Sequence, residues 1–210
     1  QTKHIITLED PIEYIFEPDK CIINQREVGT DTRSFSDGLS SILREDPDVI
    51  LIGEMRTLAS IETALIAAET GHLVFATLHT NNAVQTVQRA VSLYKPQDRE
   101  YIRTQLASVL RGVISQKLIP STDGKYRVPA LEILTVTPTT KDLIEKDKLD
   151  EIYELNRKGA VSNITTLNSQ LHELVQKDLI TPENALIASY NKNELELLLK
   201  GVYYGTRSEN

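Results

Sequence analysis

Arg44-Glu45-Asp46-Pro47-Asp48 leads into Val49-Ile50-Leu51-Ile52 and then Gly53-Glu54-Met55-Arg56, so an apolar, β-branched run delivers a carboxylate to its far end. A run of this kind can be a strand buried on both faces of a parallel sheet, and α/β sheets bind ligands at the carboxyl ends of their strands. At that edge Glu54 can hold a magnesium ion or its bound water, while Arg56 can face phosphate or a neighbouring acid. A strand-end acid paired with its own arginine fits the same residues, and both readings stand. A second acidic group, Glu9-Asp10-Pro11-Ile12-Glu13, directly follows the apolar segment from Ile5 to Leu8. Carboxylates crowded at a strand end repel one another unless something positive sits among them. Hydrated magnesium with a triphosphate would supply that charge and leave one carboxylate to orient or deprotonate water; a solvated acidic turn is the plainer alternative.

Two histidines complete the set. His72 follows Thr70-Gly71 and His79 precedes Thr80-Asn81, so the pair brackets one strand-like run, Leu73-Val74-Phe75-Ala76-Thr77-Leu78. A fully extended strand of that length separates them by about 20 Å, so they cannot share one metal unless the strand is bent. His79 emerges on the edge that carries Glu54 if the strands are parallel, where imidazole can sense a phosphate or bond a neighbouring subunit. His72 then belongs to another surface, and His4 and His172 read as structural. Arg26, Arg33, Arg44 and Arg89 are basic residues available as charge clamps or as surface salt-bridge partners.

The elements that must position these groups alternate between strand and helix through the first two thirds. Phe35, Leu39, Ile42 and Leu43 recur at helical spacing behind Ser34, a natural N-cap, and Pro47 closes that helix. The Val49 strand follows, then a helix carrying Ile61, Ala64, Leu65 and Ala68, then Gly71 and the strand over 72–78. That order predicts a parallel sheet with helices on its faces. Helices near 82–94 and 97–111 and strands near 113–119 and 127–134 come next. Beyond Pro138 the chain reads as all-helical, with a helix break at Gly159, an apolar stripe at Leu167, Leu171, Leu174 and Val175, and a helix start at Thr181-Pro182-Glu183. The expected division is 1–136, 137–203 and a frayed tail over 204–210.

Composition bounds the function. The chain has 210 residues, 40% of them hydrophobic, enough for one domain with an appendage or for two small ones. A net charge of −7 argues against a broad nucleic-acid or anionic-membrane surface. Cys21 is the only cysteine, which excludes an internal disulfide and a CxxC zinc site and suits a reducing, cytoplasmic setting. No segment approaches the roughly 18 to 20 apolar residues of a membrane span. The opening Gln1, without Met, suggests a piece of a longer protein.

In series, Glu9-Asp10-Pro11-Ile12-Glu13, Asn24-Gln25-Arg26-Glu27-Val28-Gly29, Leu43-Arg44-Glu45-Asp46-Pro47-Asp48 through Gly53-Glu54-Met55-Arg56, and Ala67-Ala68-Glu69-Thr70-Gly71-His72 into Thr77-Leu78-His79-Thr80-Asn81 resemble the Asp box, atypical Walker B and His box of the secretion ATPase superfamily. The resemblance covers about residues 3 to 135 and is nearest to the pilus-retraction (PilT) branch, since the assembly-type motors carry a tetracysteine zinc insertion that one cysteine cannot make. Thr139-Thr140-Lys141-Asp142-Leu143-Ile144 falls where the retraction branch has an Ala-Ile-Arg-Asn-Leu-Ile motif, and keeps Leu143 and Ile144.

The resemblance implies a partial RecA-like α/β core with a helical C-terminal domain, ATP and magnesium as ligands, a homo-hexamer, and a platform protein at the cytoplasmic face of the inner membrane as partner. It implies no nucleic-acid partner, transmembrane segment or zinc. It makes Glu13 the base that polarises the attacking water, with Glu9 and Asp10 in support, and Glu54 the Walker B carboxylate at magnesium. His72 and His79 form the His box, while Thr80, Arg44 and Arg56 lie near nucleotide or interface. Thr57 stands where the family usually has Asp. No GxxxxGK[ST] phosphate loop occurs in the sequence. The family places that loop upstream of the Asp box, so this chain alone is expected to bind ATP poorly and hydrolyse it negligibly. Two other classes remain open: a metal-dependent hydrolase using Glu9, Asp10, Glu13, Glu54 and the two histidines, and a non-catalytic ring or adaptor subunit. Assembly and type II secretion motors are the alternatives within the family.

Overall fold

Strand β1 (His4–Glu9) pairs in parallel with β2 (Ile22–Glu27) on one side and β3 (Val49–Ile52) on the other, and β3 pairs in parallel with β4 (Leu73–Ala76). The order β2-β1-β3-β4 sets the carboxyl ends of β1 and β3 side by side, with Leu8 opposite Ile52. This computed structural model describes residues 2–157 and 164–201. The expected helix break at Gly159 and the tail over 204–210 lie outside the described residues.

Two units compose the chain: residues 1–79 with 90–109, and residues 80–89 with 110–210. In the first, Ile6, Leu8, Ile50 and Ile52 fall on one sheet face and have no solvent exposure. Helices α1 (Phe35–Ile42) and α2 (Leu58–Glu69) cover that face with Leu39, Ile42, Ala64 and Ala67. Val49 and Leu51, on the opposite face, are only half-buried, so β3 is fully buried on one face rather than the two expected. Ser34 caps α1 by accepting from the amide of Asp37 at 3.1 Å. Gly71, at φ +102°, supplies the left-handed turn from α2 into β4.

β4 is shorter than the expected strand over 72–78, and its Leu73 and Phe75 are about half exposed. Thr77 nevertheless continues the pairing, its amide donating to Ile52 O at 3.3 Å and its carbonyl accepting from Met55 at 3.0 Å. Helix α3 (Ala83–Ser92) has residues in both units, and α4 (Arg99–Val109) belongs to the first.

The second unit is built on an antiparallel sheet of its own. β5 (Gly112–Pro120) and β6 (Arg127–Thr135) form a hairpin, and β7 (Ile164–Thr165) adds to β6. That two-residue strand departs from the all-helical reading beyond Pro138; a pair so short gives no alternation to read. Helices α5 (Pro138–Glu145), α6 (Glu151–Arg157), α7 (Leu167–Gln176), α8 (Pro182–Ala188) and α9 (Lys192–Leu199) complete it. Its core joins Ile119, Val128 and Ala130 to Leu171, Ala185 and Leu195, so the stripe read at Leu167, Leu171 and Leu174 is the buried face of α7. Among the described residues no helix is long and apolar enough to cross a membrane.

Candidate active site

The carboxyl edge of β1 and β3 gathers most of the acidic residues singled out above. The amide of Gly53 donates to Leu8 O at 2.7 Å, and a Cβ at position 53 would stand 3.1 Å from Glu9 Cα and from Leu8 O. Only glycine lets the two strand ends approach this closely without displacement. Thr77 Oγ1 donates to the carbonyl of Gly53, so the end of β4 is tied to the same edge.

Glu54 is held from both sides. Its Oε2 lies 2.5 Å from Arg56 Nη2 and its Oε1 lies 3.0 Å from His79 Nε2, and only 18% of its side chain is exposed. The hydrogen bond from Arg56 holds the Glu54 carboxyl below its usual range; partial burial opposes this, and the charges of Arg56 and His79 reinforce it. Arg56 is in turn held more firmly protonated by Glu54, with a smaller contribution from the charge of Asp10. Glu54 is thus paired with its own arginine, and it stands at the carboxyl edge of the sheet beside an imidazole.

The acidic loop is pinned by residues whose roles went unread. Gln25 Nε2 donates to Glu9 Oε1 at 3.0 Å and to Tyr14 O at 2.8 Å, while its Oε1 accepts from the Phe16 amide at 2.8 Å. Glu27 Oε2 accepts from the Ile12 amide at 3.1 Å. Thr7 Oγ1 adds a 2.6 Å bond to Glu9, so Glu9 is tied into the scaffold. Glu13 is exposed, with no hydrogen bond or ion pair among the described residues. The signal that could have found Gln25 and Glu27 is a paired strand whose last four residues, Asn24-Gln25-Arg26-Glu27, are all polar.

Other singled-out residues are not drawn into this cluster. His72 Nδ1 lies 2.9 Å from Ala67 O and 3.2 Å from Thr70 Oγ1, at the opposite end of β4 from His79. Thr80 shares a 2.7 Å hydroxyl contact with Thr86. Arg44 is exposed in the turn after α1, and Arg26 forms a two-pronged pair with Glu45 at 2.8 and 2.7 Å. His4 contacts Asn24 and Asp46 O, and His172 contacts Gln176. Thr57 caps α2 in a reciprocal capping box with Ser60, a task that Asp performs equally well. Among the described residues no three His, Cys, Asp or Glu side chains gather to hold a metal unaided.

A family model described as "Type II/IV secretion system protein" matches residues 1–202. The chain belongs to the type II/IV secretion system protein family. Within the family, it is 49% identical over 182 residues to the type IV pilus retraction ATPase PilT of Pseudomonas aeruginosa, covering 87% of this chain and 53% of that protein. It is 45% identical over 195 residues to a twitching motility protein of Neisseria gonorrhoeae, covering 93% of this chain and 52% of that protein. A crystal structure of the pilus retraction motor PilT with bound ADP superposes with a TM-score of 0.85 at 49% identity, over 93% of this chain and 55% of that one. The ATPase DotB of Legionella pneumophila superposes at 0.78 with 27% identity, over 88% of this chain and 51% of that one. The chain thus spans about half the length of the family members it matches, and the RecA-like α/β reading agrees with their fold.

Proposed function

We propose that this chain is the hydrolytic portion of a motor ATPase that couples ATP hydrolysis in a homo-hexameric ring to type IV pilus retraction, and so to twitching motility. The observation that carries the reading is Glu54, ionised and oriented by Arg56 and His79 at the carboxyl edge, with the pinned acidic loop after the neighbouring strand and an unengaged Glu13 in that loop. In this reading Glu13 takes a proton from the attacking water, while Glu9 and Asp10 shape the loop that presents it.

Glu54 suits magnesium held through water, because both of its oxygens already accept hydrogen bonds and this ion keeps several of its own waters. When bound, the ion would neutralise charge on the phosphates. His79 orients Glu54; Thr80, Arg44 and Arg56 serve nucleotide or subunit contacts, and His72 serves the His box structurally. The site would act at the cytoplasmic face of the inner membrane on a platform partner. Retraction rather than assembly is favoured by the name of the relative at 49% identity, and twitching motility by that of the relative at 45%, whereas type II secretion proteins match over shorter stretches, such as 119 residues at 41%.

The sequence has no phosphate loop, so the cradle for the triphosphate must be supplied by further polypeptide. Steady-state MgATP hydrolysis tests this. The 210-residue chain alone should turn over negligibly, and the same chain joined at Gln1 to the N-terminal half of a retraction ATPase should turn over at rates typical of that relative. Normal turnover by the chain alone would overturn the reading.

A further inference from the structure

Glu132, in β6, is 4% exposed, and one of its oxygens carries two hydrogen bonds. Oε1 accepts from the amide of Ala83 at 2.8 Å and from the hydroxyl of Tyr153 at 2.7 Å. A buried carboxyl is costly unless donors satisfy it, and here they come from the first residue of α3 and from α6. Burial, with the adjoining Glu132 in support, pushes the Tyr153 phenol far up, which keeps its proton available for donation. The amide of Ala83 is one of those that a helix start leaves unpaired, so Glu132 fixes where α3 begins.

A second hold lies two residues earlier. The hydroxyl of Tyr190, between α8 and α9, donates to Asn81 O at 2.9 Å. The Tyr190 ring is itself fixed by the Lys117 ammonium, 3.6 Å from its centroid, and Lys117 Nζ also donates to Ala188 O at 2.8 Å. Side chains from β6 and the α8–α9 turn therefore hold Ala83 and Asn81, in the segment that begins two residues after His79, and α6 supports the hold on Ala83 through Tyr153 on Glu132.

We propose that Glu132 is a positioning residue which, with Tyr153 and Tyr190, clamps the segment following His79, so that C-terminal elements govern through the chain how His79 meets Glu54. The proposal rests on the reading of Glu54 and His79 as site residues, and its readout involves no nucleotide. Amide exchange and histidine ring resonances of the 210-residue chain, followed by NMR, test it. Glu132→Ala should speed exchange of the Ala83 amide by about ten-fold or more and shift the His79 ring signals. Glu132→Gln keeps a carbonyl that can accept both donors and should restore both readouts. Tyr190→Phe should shift the His79 signals as well. Unchanged His79 signals in Glu132→Ala, or no rescue by Glu132→Gln, would overturn the proposal. If Glu132→Ala fails to fold, unchanged His79 signals in both Tyr153→Phe and Tyr190→Phe would do so. Loss of hydrolysis in the joined protein with these signals intact would count against the ATPase reading alone.

Discussion

Glu54 draws its ionisation from one neighbour above all, and the consequence has a definite sign. Because the hydrogen bond from Arg56 depresses its folded-state pKa, its stabilising contribution is complete above the ordinary carboxylate value of 4.5 and is lost as pH falls through the depressed value. Arg56→Ala should raise the Glu54 midpoint toward 4.5, read by carboxyl-carbon NMR titration, and should weaken the fold above that value, with the difference from the unaltered chain vanishing as pH falls below the depressed midpoint. An unmoved midpoint would show that Arg56 is not the cause. That His79 shares an edge with Glu54 was legible in the sequence, since parallel strands put both residues there, but their direct contact was not. The split between Glu9 and Glu13 was not, because it depends on Gln25 and Thr7 reaching Glu9 across strands, and such side-chain bonds leave no periodic trace.

Two short devices hold the edge together, and each carries its own expectation. Gly53→Ala places a methyl 3.1 Å from Glu9 Cα and Leu8 O, both set by backbone that cannot swing aside. It should cost about 1 to 3 kcal/mol of stability in denaturant unfolding, with shifted resonances for Glu54; a cost near zero would mean the strand ends can part freely. Thr57→Ala removes the N-cap of α2 and should cost about 1 kcal/mol, whereas Thr57→Asp should be close to neutral. The element pattern was largely readable because its punctuation is strong: Ser34 opens α1 and Thr181-Pro182 opens α8, as expected. What escaped reading lacks such marks. β7 is two residues long, and the half-exposed face of β3 has the same apolar letters as the buried one.

Taken whole, the chain supplies carboxylates, an imidazole and an arginine at one sheet edge, but its sequence holds no phosphate loop. Family and fold were legible because four motifs in series constrain each other's spacing. The assignment of residues to the two units was not, since 80–89 joins strands far along the chain through contacts such as Ala83 with Glu132. If Glu13 is the base and Glu54 the magnesium arm, single-turnover hydrolysis of MgATP by the chain joined to an N-terminal half decides it most directly. The Glu13→Gln form should still bind ATP and should hydrolyse it about 100-fold more slowly or worse. Hydrolysis by that form at the unaltered rate would contradict the assignment.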